Sequence, residues 1–219
     1  MKLALGKTIS FLMLAVVIVG CGAKDPRIEW GQLIEKMVVV ENSGNLDEAL
    51  RMAEDSLELA ENIPTPNHSE VSKSLMFIGE IYSRRSQYES AIQAYQRAVE
   101  IEEKALGAMH QTVEQYMSAL AGTYLSQKNY PMAIEVYQRR VDINTETKGV
   151  DNTYYASSLL DLSTAYHSNA EYAQAEELNL QTLALYEKHL EPNDVALAVV
   201  LFNVGSNYLE QERYDKAET

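Results

Sequence analysis

The stretch GEIYSRRSQYESA at residues 79–91 decides the fold, because its pattern recurs three more times at an interval of 42 residues. The later copies read AGTYLSQKNYPMA at 121–133, STAYHSNAEYAQA at 163–175 and GSNYLEQERYDKA at 205–217. Each copy begins with a small residue, carries two tyrosines six positions apart and ends on alanine. A fixed period of this length is typical of a solenoid, whose units bury their apolar faces only by stacking on one another.

Three series of residues stay in phase with the period, and we predict that they pack the repeats together. The first tyrosines are Tyr82, Tyr124, Tyr166 and Tyr208, the second are Tyr88, Tyr130, Tyr172 and Tyr214, and the alanines are Ala91, Ala133, Ala175 and Ala217.

Each copy reads as two helices joined by a short turn. In the second copy Val71, Leu75, Ile78 and Tyr82 recur at helical spacing. We predict an all-α fold, an α-solenoid of about five helix-turn-helix repeats at about 27–62, 67–105, 111–146, 152–190 and 194–219, with the last one truncated.

Two helix starts carry local signals. Asn67 and Glu70 have the spacing of a capping box, in which each side chain bonds the other residue's backbone N–H. Asp151 precedes a helical run and is expected to cap it.

The repeats resemble tetratricopeptide repeats, in which a small residue lies three positions before a tyrosine and an alanine follows nine positions after it. Gly79, Tyr82 and Ala91 show this pattern. The period of 42 and the loop at 189–196 resemble the longer, kinesin-light-chain-like subclass. The paired asparagines that often grip a peptide backbone in that subclass are absent here, except for Asn203.

The resemblance implies that the first helix of each pair lines a concave groove that binds a protein or peptide partner. An extended or helical segment would suit such a groove. The family's groove positions project onto Met76, Glu80, Ser118, Leu160, Thr164, His167, Phe202 and Asn203.

Residues 1–20 read as a lipoprotein signal peptide. Lys2 and Lys7 form a basic region, and residues 9–20 form an apolar run too short for a stable membrane span. The run ends in Ile18-Val19-Gly20-Cys21, which resembles the bacterial lipobox.

Cys21, the only cysteine in the chain, is therefore the predicted lipidation site, and residues 21–26 would form a short tether. Several buried acyl chains would make the anchor effectively permanent. The following residue is Gly22 rather than the aspartate that favours inner-membrane retention, so we expect the outer membrane, facing the periplasm. The alternative is a secreted protein cleaved after Gly22.

Composition excludes some partners. The net charge of −14 disfavours nucleic acid and anionic lipid surfaces, which would be repelled. A single cysteine cannot form an intrachain disulfide.

The chain shows no catalytic pattern. His68, His110, His167 and His189 lack metal-ligand spacing and are expected to be solvated. The adjacent carboxylates at 102–103 and 176–177 point in different directions and are expected on solvated faces. Because the repeats are built alike, no single asymmetric pocket is expected. We predict a protein that is not an enzyme, without metal or cofactor.

The run from Val195 to Gly205 is apolar on nearly every side and must be covered. It indicates that the chain is a fragment or that a partner covers this end. Three functions remain open: a lipid-anchored adaptor, the repeat region of a longer sensory or enzymatic protein, and a scaffold that self-associates through residues 195–219.

Overall fold

The computed structural model describes residues 25–217, and the signal sequence, Cys21 and most of the tether lie outside that range. The described residues fold into ten helices: α1 Pro26–Asn42, α2 Leu46–Glu61, α3 His68–Arg84, α4 Tyr88–Leu106, α5 Gln111–Ser126, α6 Tyr130–Lys148, α7 Thr153–Ser168, α8 Tyr172–His189, α9 Val195–Glu210 and α10 Tyr214–Ala217. None of these helices is long and apolar enough to cross a membrane.

The helices pack mainly on their neighbours in sequence, so that the hairpins stack one after another. Ala91, Ala133 and Ala175 are completely buried, which lets the helices of each hairpin approach closely. The predicted all-α solenoid of helix-turn-helix units is confirmed.

The turn inside every hairpin has the same backbone conformation. Gly44, Ser86, Lys128, Ala170 and Glu212, each 42 residues from the next, all have positive φ. In the second hairpin the N–H of Gln87 bonds the carbonyl of Tyr82 at 2.9 Å, and that of Ser86 bonds Ser83 at 2.9 Å. This pair of bonds is a Schellman motif, which satisfies carbonyls left free at a helix end. Four of the five turns adopt it without the glycine that it favours.

Both predicted caps are wrong in detail. The Asn67 side chain donates to the carbonyl of Ala60 at 2.9 Å, and Glu70 accepts from Arg27 at 2.8 Å, so no capping box forms. The side chains of Asn67 and Glu70 therefore bond groups of the preceding hairpin and not each other's backbone.

At α7 the cap is Asn152, whose side chain accepts from the N–H of Tyr155 at 2.9 Å. Asp151 instead pairs with Lys188 and with His189 across the hairpin. The electrostatic attraction of two basic groups draws Asp151 away from the helix end.

The expectation that the paired carboxylates are solvated is also wrong for two of them. Glu102 is buried and accepts a hydrogen bond from Ser72, while its second carboxylate oxygen has no partner. Glu176 pairs with Arg213 at 2.5 Å. Each lies between helices that only the tertiary fold brings together.

A buried ionic cluster ties three helices in the middle of the solenoid. Arg140 of α6 bonds both Glu114 of α5 and Asp161 of α7. Burial raises the pKa of Asp161, whereas the Arg140 guanidinium acts to lower it. The cluster fixes the third hairpin against the fourth.

Candidate partner-binding site

The predicted groove residues differ widely in accessibility. Phe202 is 75% exposed, and Glu80 and Thr164 are also exposed. Met76 and Leu160 are half-buried and pack on core clusters. Phe202 is therefore the one large apolar side chain of the predicted set that is mostly free to contact a partner.

A cavity of about 170 Å³ lies where the fourth hairpin meets α9. We call it the α7–α9 cavity. Its lining residues are Ser163, Thr164, His167, Asn179, Phe202, Asn203, Ser206 and Asn207. Four predicted groove residues thus come together here, namely Thr164, His167, Phe202 and Asn203, whereas Met76, Glu80, Ser118 and Leu160 do not line the cavity.

The cavity exists because one pair of repeat positions is filled differently in the fourth hairpin. In the first three hairpins the pair holds one large and one small side chain, and most of these are fully or nearly fully buried: Met37 with Ala53, Gly79 with Tyr95, and Ala121 with Tyr137. In the fourth hairpin both residues, Ser163 and Asn179, are small and polar. The space taken elsewhere by a large side chain therefore stays open.

This asymmetry corrects the expectation that no single pocket would form. The sequence carried the signal, because Tyr95, Tyr137 and Asn179 are 42 residues apart and the third member breaks the series. Ser163, Asn179 and Asn207 were not in the predicted site, whereas Ser206 lies at a projected groove position. Asn179 is itself the break in the series, and the others line the cavity beside it.

Hydrogen bonds hold the polar lining in place. The Ser163 hydroxyl donates to Oδ1 of Asn179 at 2.6 Å. Nδ1 of His167 lies 2.5 Å from Oδ1 of Asn207, and its ring meets Tyr172 edge-on at 5.3 Å. His167 is therefore a half-buried link between α7 and α9, and the expectation of a solvated histidine is wrong for it.

Asn207 leaves one polar group unused. The residue is fully buried, and its Nδ2 has no hydrogen-bond partner within the described structure. Leaving a buried amide N–H₂ without a partner costs on the order of 1–3 kcal/mol. The lining contains no lysine, arginine, aspartate or glutamate, so the site offers mainly hydrogen bonds and an apolar rim.

Glu80, the predicted groove residue of the second hairpin, has a titratable carboxyl group. Burial raises the pKa of the Glu80 carboxyl, and Glu41 nearby raises it further, against the opposing effect of Arg84. The raised pKa favours the protonated form of Glu80, which lies in the second hairpin and does not line the α7–α9 cavity.

The other histidines are placed by local contacts. His110 accepts from the N–H of Thr112 at the start of α5, and His189 bonds Asp151 at 2.7 Å. Within residues 25–217 no group of three or more histidine, cysteine, aspartate or glutamate residues could hold a metal ion.

Most of the predicted packing residues lie where neighbouring helices contact one another. Tyr124 is buried, and Tyr82, Tyr166 and Tyr208 are half-buried against the core clusters. Tyr88, Tyr130 and Tyr172 are half-buried at the starts of the second helices. Tyr214 is exposed and Ala217 is half-buried, since α10 has fewer neighbours among the described residues.

Two segments of the chain, residues 38–104 and 112–188, match the sequence profile of the tetratricopeptide repeat, and together they cover more than half of it. The chain belongs to the tetratricopeptide repeat (TPR) family. The fold is that of a protein-interaction scaffold. No curated protein sequence matches the chain significantly.

Solved structures with the same arrangement include kinesin-light-chain-like proteins. BtubC (BKLC) from P. vanneervenii is 19% identical, with a TM-score of 0.76 over 88% of this chain and 78% of that one. A Podospora anserina kinesin light chain with nearly identical TPR-like repeats is also 19% identical, with a TM-score of 0.76 over 90% and 92% of the two chains.

A Rap protein, solved as a complex with Competence and Sporulation Factor, is 16% identical, with a TM-score of 0.64. The match covers 90% of this chain and 52% of that one. At such identities the likeness shows the fold alone.

Proposed function

We propose that this TPR protein is a lipid-anchored, non-enzymatic adaptor that binds a protein or peptide partner at the bacterial cell envelope, on the periplasmic side of the outer membrane. The observation that carries the binding role is the α7–α9 cavity with the exposed Phe202 at its rim. Aromatic side chains, phenylalanine included, are enriched in protein interfaces, and hot spots lie in well-packed pockets.

The fold comparison supports a macromolecular partner. A Rap protein of the same fold is solved together with a partner factor. Stacked hairpins create an extended concave surface of the kind that repeat proteins use for binding.

The envelope location rests on the lipobox-like Ile18-Val19-Gly20-Cys21 and on Gly22 after it. The first test is the intact mass of the protein from the membrane fraction, wild type beside Cys21→Ser. We expect a mature chain that starts at Cys21 and carries acyl chains, and loss of those chains in the variant. An unlipidated chain that starts at Ala23 would contradict the anchor.

The binding role is tested separately with Phe202→Ala. Truncation of a hot-spot aromatic costs about 2 kcal/mol or more, which weakens binding about thirtyfold. Val39→Ala, on an equally exposed residue of α1, is the matched control. Quantitative capture of envelope proteins by the lipidated full-length protein should fall for the first variant only, and equal capture by both would contradict the assignment.

A second candidate is self-association through α9. Val195, Val199, Leu201 and Leu209 of this helix are exposed beside Phe202, and a contiguous apolar patch is typical of an interaction surface. Sedimentation of the full-length protein should then show a concentration-dependent dimer that Leu201→Lys abolishes. A monomer at high concentration would contradict this candidate.

A further inference from the structure

We propose that the α7–α9 cavity binds a tyrosine side chain of the partner, which takes the place that an internal side chain fills in the preceding hairpins. This inference deepens the proposed binding role and rests on it. It commits the site to one occupant: a peptide segment that inserts a phenol ring from the groove.

Positions along the solenoid are equivalent from one hairpin to the next. Tyr95 and Tyr137 are nearly buried at the positions that correspond to Asn179. The Tyr95 ring lies against Gly79, where an added Cβ would come within 2.5 Å of it. The fourth hairpin has Ser163 and Asn179 at the same places and no ring. Its architecture therefore has room for a phenol group that the chain itself does not supply.

The size of the cavity suits a single ring. The cavity measures about 170 Å³. An engineered protein cavity of about 150 Å³ accepts a benzene molecule, so this space suits one aromatic ring. An aliphatic chain would leave the polar lining without partners.

The Asn207 amide has hydrogen-bonding capacity that the chain does not use. One end of this amide faces His167, and the other has no partner although the residue is fully buried. Asn207 lines the cavity, and a phenol hydroxyl, which both donates and accepts hydrogen bonds, matches the free end whichever way the amide is turned. A phenylalanine ring would fill the same space and leave the amide unpaired.

Charge argues against an anionic occupant. The cavity lining has no lysine or arginine, and the protein carries a net charge of −14. A carboxylate or phosphate buried there would lose its hydration without gaining an ion pair with a lysine or arginine. The neutral hydroxyl of tyrosine avoids that cost.

The test is a selection of short random peptides on the full-length protein in detergent micelles. Wild type is compared with Ser163→Gly/Asn179→Tyr, a double variant that supplies the ring from the chain itself, as Gly79 and Tyr95 do. Circular dichroism and urea unfolding establish that the double variant is folded. We expect tyrosine to be enriched at one position of the peptides selected on wild type, and this enrichment to be lost on the double variant.

Selected peptides then measure the role of the hydroxyl. Replacing their tyrosine by phenylalanine should weaken binding to wild type about tenfold, because the Asn207 amide again lacks a partner. On Asn207→Leu, which keeps the rim but removes the amide, the two peptides should bind equally well.

The outcomes separate this inference from the adaptor role. Peptides that bind the groove without tyrosine enrichment, or that bind the double variant equally well, overturn the tyrosine site and leave the adaptor role intact. Failure to select any peptide on either protein overturns both.

Discussion

The Ser163 hydroxyl and the Asn179 amide are joined by a hydrogen bond of 2.6 Å at the point where two preceding hairpins hold an aromatic ring against Gly79 or Ala121. The two residues are therefore adapted to each other. Asn179→Tyr alone should destabilise the fold by about 1–3 kcal/mol, because the buried Ser163 hydroxyl loses its hydrogen bond to Asn179. Adding Ser163→Gly should recover most of that loss.

Urea unfolding of the two single variants and the double variant measures the coupling between these positions. Strict additivity of the two free-energy changes would show that the residues are independent. The cavity would then need a different explanation.

Arg140 and Arg139 are neighbours in sequence with very different surroundings. The Arg140 side chain is 11% exposed and bonds both Glu114 and Asp161, whereas that of Arg139 is 46% exposed and pairs with Glu103. Arg140→Met leaves Asp161 without its cation and leaves Glu114 only the more distant Lys148 at 3.9 Å, so it should destabilise the fold by about 3 kcal/mol. Arg139→Met, the matched control, should cost less than about 1 kcal/mol in the same urea titration. Equal effects would mean that the buried cluster does not contribute to stability.

Ala170 has a φ of 61° in the Schellman turn of the fourth hairpin. Such a backbone strains any residue with a Cβ, so Ala170→Gly should raise the free energy of unfolding by about 0.5–1 kcal/mol after the greater freedom of the unfolded glycine chain is counted. Ala184→Gly, at an exposed interior position of α8, should lower it by about 1 kcal/mol. The same substitution thus has opposite signs at the two positions. A lower melting temperature for Ala170→Gly would contradict the role of the turn.

Because several tyrosines are buried, we expect the free energy of unfolding to fall at alkaline pH. Burial raises the pKa of Tyr137 to about 12, above the value of about 10 for an unfolded chain. Its stabilising contribution is complete below pH ~10 and is lost as the pH rises toward 12, because the unfolded state ionises first. Burial raises the pKa of Tyr95, Tyr116, Tyr124 and Tyr186 in the same direction.

Urea unfolding between pH 9 and pH 12, conditions chosen to bracket the two pKa values, measures this loss. Tyr137→Phe should flatten the fall in stability by up to about 1.4 kcal/mol per pH unit, and Tyr214→Phe, at an exposed position, should leave it unchanged. Identical slopes for the two variants would contradict the assignment to Tyr137.

Sequence reasoning located the helices well because each one repeats an apolar pattern that any stacked hairpin needs. The predictions were wrong where a polar side chain has two possible partners, one close to it in sequence and one on another helix. Asn67 and Asp151 have the right spacing to cap helices, yet both bond groups on other helices. Glu102 was expected on a solvated face because it and Glu103 point in different directions, yet it is buried and accepts a hydrogen bond from Ser72 of α3.

The sequence by itself determined the repeat, its period, the helical hairpins and their stacking, since a regular series of small and aromatic residues leaves one way to bury them. Only the tertiary structure shows that the interruption of the tyrosine series at Asn179 opens a cavity. A break from tyrosine to Asn179 is one substitution in the sequence, and it becomes a cavity because Ser163, His167 and Asn207 from neighbouring helices surround it. The physical reason is that a void is a property of packed neighbours, and those neighbours are far apart along the chain.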